Sequence, residues 1–191
     1  EAVVGISEGN YASVDDGDEN PNFQKARLAY CNEDDLDNKT ILDIMSVGDI
    51  VDGKKVTGVY DTILMKKDDD DEYIYVLWTA SIENRYYRLY RTFNMKTETL
   101  GEIRVNRFKV GDITNDFCDI VIKNALTANG KGFKYTFADI GIMQKQSFHE
   151  ENGVKYCYSG LYSGDFTCII KSADLITWEY VSQPNFINDS K

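Results

Sequence analysis

Hydrophobic and polar positions alternate in short segments along most of the chain, with polar turns between the segments. The clearest set lies at residues 73–105, and a second set with the same layout lies at residues 154–182. Short alternating segments bounded by Gly, Asn, Asp and Ser are typical of β-strands. No segment has the period of an amphipathic helix, so the pattern predicts an all-β protein with little helix.

The two sets are copies of one repeat. Tyr75 in the first copy corresponds to Tyr156 in the second, and positions 91–92 correspond to positions 171–172. The offset between matched positions is one residue smaller for the second pair than for the first, which we attribute to a shorter turn in the later copy. Antiparallel sheets that recur at this interval are typical of the blades of a β-propeller. A β-sandwich is the alternative, although its short strands need not recur as matched sets.

The repeat pattern predicts the following elements. The first complete repeat, residues 56–105, has predicted strands at 56–65, 73–80, 86–92 and 100–105, with a charged turn at 68–72. The last repeat, residues 135–182, opens at 135–148 and continues with strands at 154–161, 167–172 and 178–182. A partial repeat spans residues 26–45, residues 1–23 are an irregular lead-in, and residues 108–132 are a connector. We interpret residues 1–191 as one propeller-type domain or fragment, with about two and a half antiparallel four-stranded blades.

The amino-acid composition favours β-strands, and the net charge argues against two classes of binding partner. A chain of 191 residues can bury a core, and it contains 13 Tyr but only 2 Pro. The net charge of −11 argues against nucleic acid or an anionic membrane as partner. No apolar run approaches the length of a membrane span, and the first ten residues lack the pattern of a signal peptide.

The four cysteines are Cys31, Cys118, Cys157 and Cys168. None forms a CxxC pair, so a zinc site is not expected. In the predicted hairpin Cys157 would pair with about Ile170, out of register with Cys168. We therefore predict four buried thiols and no disulfide.

Three segments resemble a known family. Residues 172–178, SADLITW, resemble the S-x-D-L-x-x-W turn of the five-bladed propeller glycoside hydrolases, family 43 and its relatives. Residues 152–156, NGVKY, resemble the N-G-x-Y-Y turn and strand of those enzymes, and residues 60–75 are similar to their D-P-x-V-F…D-D-G-x-Y-Y opening. The resemblance covers roughly residues 56–185 and implies a secreted or cell-surface protein that binds or hydrolyses a poly- or oligosaccharide.

Five blades close such a ring and remove the exposed sheet edges. A chain of about two and a half blades is then a fragment, is completed by a second chain, or has a smaller related fold. A fragment with no activity of its own is therefore a third hypothesis, beside a glycosidase and a non-catalytic glycan-binding or protein-interaction module.

A glycosidase needs two carboxyl groups across the scissile bond. The resemblance implies Asp61, at the start of an inner strand, as one of them. By the spacing of the family's E-G-P opening, counted back from Tyr156, the resemblance places the second carboxyl group at Gln144, and a Gln cannot donate a catalytic proton. Asp139 is the nearest acid upstream of Gln144, so the predicted catalytic residues are Asp61 and Asp139.

The predicted substrate-binding residues lie at strand ends and turns that reach the same face of the blades. Tyr rings can stack on the apolar C–H faces of sugars, and charged groups can bond their hydroxyls. These residues are Tyr60, Glu83, Arg85, Tyr86, Gln144, Tyr162 and Asp165. The alternative is that they are exposed turn residues with no role in binding.

Other polar residues have mainly structural interpretations. The Asp run at residues 68–71 is either a calcium site or a solvated turn; we favour the turn and predict no cofactor. Asp174 is expected to bond nearby backbone N–H groups, and Trp178 to pack between blades. His149 is the single histidine, which excludes a metal site with several His ligands.

Overall fold

The computed structural model describes residues 2–10, 24–67, 69–120, 122, 124, 141–142, 146–163 and 166–183. These residues form sixteen β-strands, and helical backbone occurs among them only between residues 119 and 124. The all-β prediction is therefore confirmed. None of the described helical residues belongs to a helix long and apolar enough to cross a membrane. The chain divides into two compact units, Glu1–Asn106 and Arg107–Lys191.

Two antiparallel sheets make up the first unit. Three strands form one sheet in the order β1-β2-β3: β1 (Ala2–Asn10), β2 (Gln24–Asn32) and β3 (Thr40–Ser46). Six strands form the central sheet: β4 (Ile50–Val51), β5 (Lys54–Met65), β6 (Tyr73–Ile82), β7 (Arg85–Asn94), β8 (Thr99–Leu100) and β9 (Arg104–Val105). Their order is β4-β5-β6-β7-β8, and β9 also pairs with β7.

The core of the first unit lies between these two sheets. Alternate residues of β6 point into it because successive side chains of a strand point to opposite faces. The core residues include Val76, Trp78, Ala80 and Ile82 from β6, and Ala26, Leu28, Ile44 and Met45 from β2 and β3. The indole Nε1 of Trp78 donates to Met45 Sδ at 3.1 Å, which links the two layers. Arg91 adds a second link, from its Nη1 to the Ile44 carbonyl at 3.2 Å.

The second unit contains one seven-stranded sheet. Its strands are β10 (Arg107–Val110), β11 (Ile113–Asp116), β12 (Gly141–Ile142), β13 (Ser147–Glu151), β14 (Val154–Ser163), β15 (Phe166–Ser172) and β16 (Thr177–Ser182). Their order is β11-β10-β16-β15-β14-β12, and β13 also pairs with β14. The pair β10–β16 is parallel, while every other described pair in both units is antiparallel.

The predicted repeat has a structural counterpart in the turn that follows the third strand of each copy. Asn94 Oδ1 accepts bonds from the N–H groups of Lys96 and Thr97 at 2.9 and 3.0 Å. In the second copy Asp174 Oδ1 accepts the equivalent bonds from Ile176 and Thr177 at 2.8 and 2.7 Å. The expected turn-forming role of Asp174 is thus confirmed.

The explanation of the one-residue difference between the copies was wrong. The β6–β7 and β14–β15 connections both contain two residues, so the later turn is not shorter. Val76 pairs with Arg91 in the first copy, and Cys157 pairs with Ser172 in the second. The segment from Ser172 to Asp174 in the second copy is one residue shorter than the segment from Arg91 to Asn94 in the first. The difference therefore lies at the end of the third strand.

Three predicted boundaries were also wrong. Residues 2–10 form β1, which pairs along its whole length with β2, rather than an irregular lead-in. The predicted connector begins with the hairpin β10–β11, because Phe108 and Val110 alternate with polar residues and are buried on one face. The predicted strand at 100–105 is divided into β8 and β9, which pair separately with β7.

The cysteine prediction is confirmed. All four side chains are thiols, and all four are buried. Leu161 pairs with Cys168 and Cys157 with Ser172, so Cys157 and Cys168 are out of register, although the partner of Cys157 lies two residues from the predicted one. Burial raises the pKa of the Cys168 thiol to about 12. Trp178, expected to be packed, is fully buried.

Candidate functional site

A β-bulge in the middle of β5 places Asp61. Tyr60 pairs with Thr79 and Ile63 with Leu77, so two residues of β5 stand opposite one residue of β6. Asp61 adopts a left-handed backbone conformation with φ of 50°. This conformation is uncommon outside glycine and costs on the order of 1 kcal/mol. A bulge changes the direction in which a side chain leaves its strand. Asp61 lies in the middle of β5, whereas the family resemblance implied a position at the start of a strand.

A buried arginine holds the bulge. Arg88 lies on β7 and is fully buried. Its Nη1 donates to the Asp61 carbonyl at 2.9 Å and to Thr79 Oγ1 at 3.0 Å, so it connects three adjacent strands. A buried charged group is costly unless it is hydrogen-bonded, which makes these contacts strong constraints on the local backbone. Arg88 thus fixes the conformation that carries the Asp61 carboxylate.

Two tyrosines flank the bulge. The ring centroids of Tyr60 and Tyr86 are 6.2 Å apart with planes tilted by 50°, and both residues are partly exposed. The Tyr60 ring lies over Gly58: a Cβ at Gly58 would stand 2.5 Å from Cε2 and Cζ of that ring. Any larger residue at position 58 would therefore displace Tyr60. We call Tyr60, Asp61 and Tyr86, with Gly58 and Arg88, the bulge site.

Two further predicted residues lie at the end of the adjoining hairpin. Glu83 and Asn84 connect β6 to β7 with φ of 48° and 61°, as a two-residue hairpin turn with positive φ at both positions requires. Glu83 forms an ion pair with Lys54 Nζ at 3.0 Å, and this hydrogen bond raises the pKa of Lys54. Arg85 is exposed at the first position of β7, one residue before Tyr86.

The remaining predicted site residues belong to the second unit. Tyr162 lies on β14 and is 39% exposed. Asp139, Gln144 and Asp165 fall outside the residues that the structure describes. The bulge site therefore brings together three of the predicted residues, namely Tyr60, Asp61 and Tyr86.

A separate depression of about 450 Å³ lies at the acidic turn between β5 and β6. It is lined by Lys67, Asp69, Asp70, Asp71, Glu72 and Lys96. Asp70 Oδ1 accepts bonds from the backbone N–H groups of Glu72 and Tyr73, both at 3.0 Å. Asp71 is bonded to Lys66 at 2.9 Å, which lowers the pKa of its carboxyl. Within the described parts of the chain, no three His, Cys, Asp or Glu residues are arranged to hold a metal. Asp70 therefore orders the turn through its two backbone bonds.

Sequence reasoning missed two members of the bulge site. Arg88 had a signal, because it is a charged residue inside the aromatic strand RYYRLYR, where a buried charge needs a specific partner. Gly58 had no signal in the sequence. Its role depends on the ring of Tyr60, which folds back over it in the structure.

No family model, curated protein or solved structure matches the chain. Function is therefore inferred from the geometry of its own residues.

Proposed function

We propose that the protein binds carbohydrate at the bulge site. The observation that carries the proposal is the left-handed conformation of Asp61, fixed by Arg88 between two partly exposed tyrosines. Strained non-glycine residues that the surrounding structure holds in place cluster at functional sites. Carbohydrate is the ligand class whose chemistry fits, because its C–H faces stack on Tyr rings and its hydroxyls donate to a carboxylate.

The arrangement is preorganised for such a ligand. Gly58 sets the position of the Tyr60 ring, and Arg88 sets the backbone of Asp61. A sugar that stacks on Tyr60 or Tyr86 would thus meet groups that lose little freedom on binding. Preorganisation of this kind raises affinity without adding contacts.

The test is NMR titration of the 191-residue chain with xylo-, arabino- and gluco-oligosaccharides of two to four units. We expect one of these series to shift the amide signals of residues 58–61 and 86. Gly58→Ala and Tyr86→Ala should weaken that binding at least tenfold, and Ile50→Ala, an exposed residue of β4, should not. The absence of shifts at the bulge site with all three series would contradict the proposal.

Hydrolysis is the catalytic extension of the proposal. It requires Asp61 as one of two carboxyl groups. If Asp61 acts in catalysis, Asp61→Asn abolishes release of reducing sugar while oligosaccharide binding remains. A binding module would show no hydrolysis in the unaltered protein.

We further propose that the repeated sheets are blades of a β-propeller. The support is the recurrence of the meander and of the turns at Asn94 and Asp174. A closed ring then requires more blades, from a longer chain or a second one. Light scattering separates a monomer of 21.8 kDa from such an assembly. With the carbohydrate ligand we also propose a secreted or cell-surface location.

A further inference from the structure

Two hairpins of the structure close with the same kind of turn. The β4–β5 turn is Asp52-Gly53, with φ of 49° and 78°, and the β13–β14 turn is Asn152-Gly153, with φ of 51° and 79°. Positive φ at both positions is typical of two-residue type I′ turns, which favour Asp-Gly and Asn-Gly. All four residues are exposed. The turns therefore share their geometry and differ in the first side chain, which is a carboxylate in one and an amide in the other.

Asn152 and Gly153 can react with each other without an enzyme. The backbone nitrogen of Gly153 loses its proton to base and attacks Cγ of Asn152. The N–Cγ bond forms, the Cγ–Nδ2 bond breaks, and Nδ2 leaves as ammonia. Water then opens the cyclic imide at either carbonyl, which gives aspartate or isoaspartate at position 152. Glycine favours the attack because it has no side chain to hinder the approach of its nitrogen.

The structure contains its own comparisons for this reaction. Among the described residues, Asn152 is the single asparagine followed by glycine, and a second such pair at positions 129–130 lies outside them. Asn84 in the β6–β7 turn is also exposed and left-handed, with φ of 61°, but the next residue is Arg85. Asp52 is followed by glycine, but its carboxylate is a poorer acceptor for the nitrogen than an amide. Asn152 should therefore be the most reactive of the three.

The β13–β14 turn must open before the ring can close. In the closed hairpin Glu151 pairs with Val154, and this pair fixes the backbone of the two residues between them. Ring closure needs a different ψ at Asn152, so its rate depends on how often the end of the hairpin opens. Such local opening costs less free energy than global unfolding.

Glu151 anchors this end of the hairpin. Its Oε2 accepts from Lys171 Nζ at 2.6 Å, and its other oxygen accepts from the Tyr158 hydroxyl. The Lys171 bond connects β13 to β15 across β14, and it raises the pKa of Lys171, so the cation persists at neutral pH. The same ammonium lies 4.2 Å from the ring centroid of Tyr156, in cation–π geometry. We call the bonds of Glu151 to Lys171 and Tyr158 the Glu151 anchor. It holds the residue immediately before Asn152.

We propose that Asn152 is a site of spontaneous deamidation and that the Glu151 anchor sets its rate. Isoaspartate carries the main chain through the former side chain and lengthens the turn by one carbon atom. A two-residue turn cannot keep the register of its hairpin with a longer backbone, so the Glu151–Val154 pair is lost and the anchor breaks. The reaction thus releases the end of β13 irreversibly and adds one negative charge. It does not depend on carbohydrate binding.

The test is to incubate the full chain at pH 8 and to follow each asparagine by mass spectrometry of proteolytic peptides. Asn152 should deamidate at least tenfold faster than Asn84, and faster still in urea, where the turn is open. Lys171→Met and Tyr158→Phe each remove one bond of the anchor and should accelerate the reaction at Asn152 at least threefold. Lys109→Met, which removes an equal charge from another ion pair of the same sheet, should not.

The structural consequence is measured on the aged protein by amide exchange. Asn152→Asp has the charge of the deamidated protein but a normal backbone, so it separates charge from backbone length. The isoaspartate form should lose protection at residues 151 and 154 and should shift the amide signal of residue 171. Asn152→Asp should keep the protection and leave that signal in place.

Each part of the proposal can fail. Deamidation at Asn152 no faster than at Asn84 would overturn the site. Equal rates in the unaltered protein and in Tyr158→Phe would overturn control by the anchor, and this variant decides the point if Lys171→Met does not fold. An isoaspartate form with unchanged protection at residues 151 and 154 would overturn the release of the strand end.

Discussion

The guanidinium of Arg88 donates to the backbone carbonyl of Asp61 at 2.9 Å, and this bond ties a buried charge on β7 to a left-handed residue on β5. The bond crosses β6, where Thr79 Oγ1 accepts from the same nitrogen at 3.0 Å. The strain at Asp61 is therefore maintained by tertiary contacts and not by its immediate neighbours in sequence.

Replacement of Arg88 by Met should destabilise the first unit by roughly 2 kcal/mol, because two acceptors lose a buried donor. Arg85→Met, at the exposed start of the same strand, should change stability by less than about 0.5 kcal/mol. Urea unfolding followed by NMR measures the free energy of unfolding of each unit separately. Equal effects of the two substitutions would show that Arg88 does not hold the bulge.

The strain at Asp61 predicts a preference for glycine. Asp61→Gly should be more stable than Asp61→Ala by about 1 kcal/mol, because glycine adopts positive φ without steric cost. At Thr57, a residue of the same strand with ordinary φ, the order should reverse, and Ala should be better than Gly by about 0.5–1 kcal/mol. Urea unfolding of the four variants gives both differences. The same order at both positions would contradict a left-handed Asp61.

The repeated turn predicts matched effects in the two copies. Asp174→Ala and Asn94→Ala should each cost about 1–2 kcal/mol, because each leaves two backbone N–H groups without a side-chain acceptor. Amide exchange should accelerate at residues 176 and 177 in the first variant and at 96 and 97 in the second. Asp174→Asn, which keeps an acceptor oxygen, is the control. Unchanged exchange in the alanine variants would mean that the turns do not depend on these side chains.

The carboxyl of Asp43 predicts a dependence of stability on acid. Burial opposes its ionisation, but hydrogen bonds and charges from Lys25 and Arg27, both at 3.1 Å, outweigh burial and lower its pKa below the ordinary 3.8. A lowered pKa stabilises the fold above the unfolded value, and this stabilisation disappears as pH falls through the folded value. Because the carboxylate is half exposed, Asp43→Asn should cost less than about 1 kcal/mol at pH 7.

The difference between the unaltered protein and Asp43→Asn should disappear once the pH is well below 3.8. Urea unfolding between pH 7 and pH 2 measures it, with Asp34→Asn in the exposed turn after β2 as control. A difference that stays constant over this range would show that the ion pairs do not contribute.

The thiols should be unreactive in the folded protein. All four are buried, and a pKa of about 12 leaves Cys168 protonated at pH 8. A thiol reagent at pH 8 should label all four cysteines when the protein is unfolded in urea. In buffer without urea, it should rapidly label fewer than one cysteine per molecule. Above pH 9 the unfolded thiol loses its proton while the folded one keeps it, so the contribution of Cys168 to stability falls with rising pH. Rapid labelling in buffer would contradict the buried arrangement.

The sequence by itself determined the strands and the repeat, because alternation of apolar and polar residues and Asx turns are local. It placed β5, β6, β7, β14, β15 and β16 within a few residues, and it identified Asp174 as a turn residue. It also predicted that Cys157 and Cys168 lie out of register in their hairpin, although the partner predicted for Cys157 lies two residues from the observed one. The strand at residues 2–10 was missed because its apolar and polar residues alternate only weakly. Its pairing with β2 is a tertiary contact that the sequence does not show.

Only the tertiary structure decided how the candidate site is assembled. The bulge at Asp61 depends on Arg88, which lies two strands away, and the place of the Tyr60 ring depends on Gly58. The exposure of Tyr158 and Tyr162 likewise contrasts with the burial of Leu77 and Ser81 on the matching face of the first copy. Such relations join residues on different strands, and a pattern read along one strand contains no information about what packs against its faces.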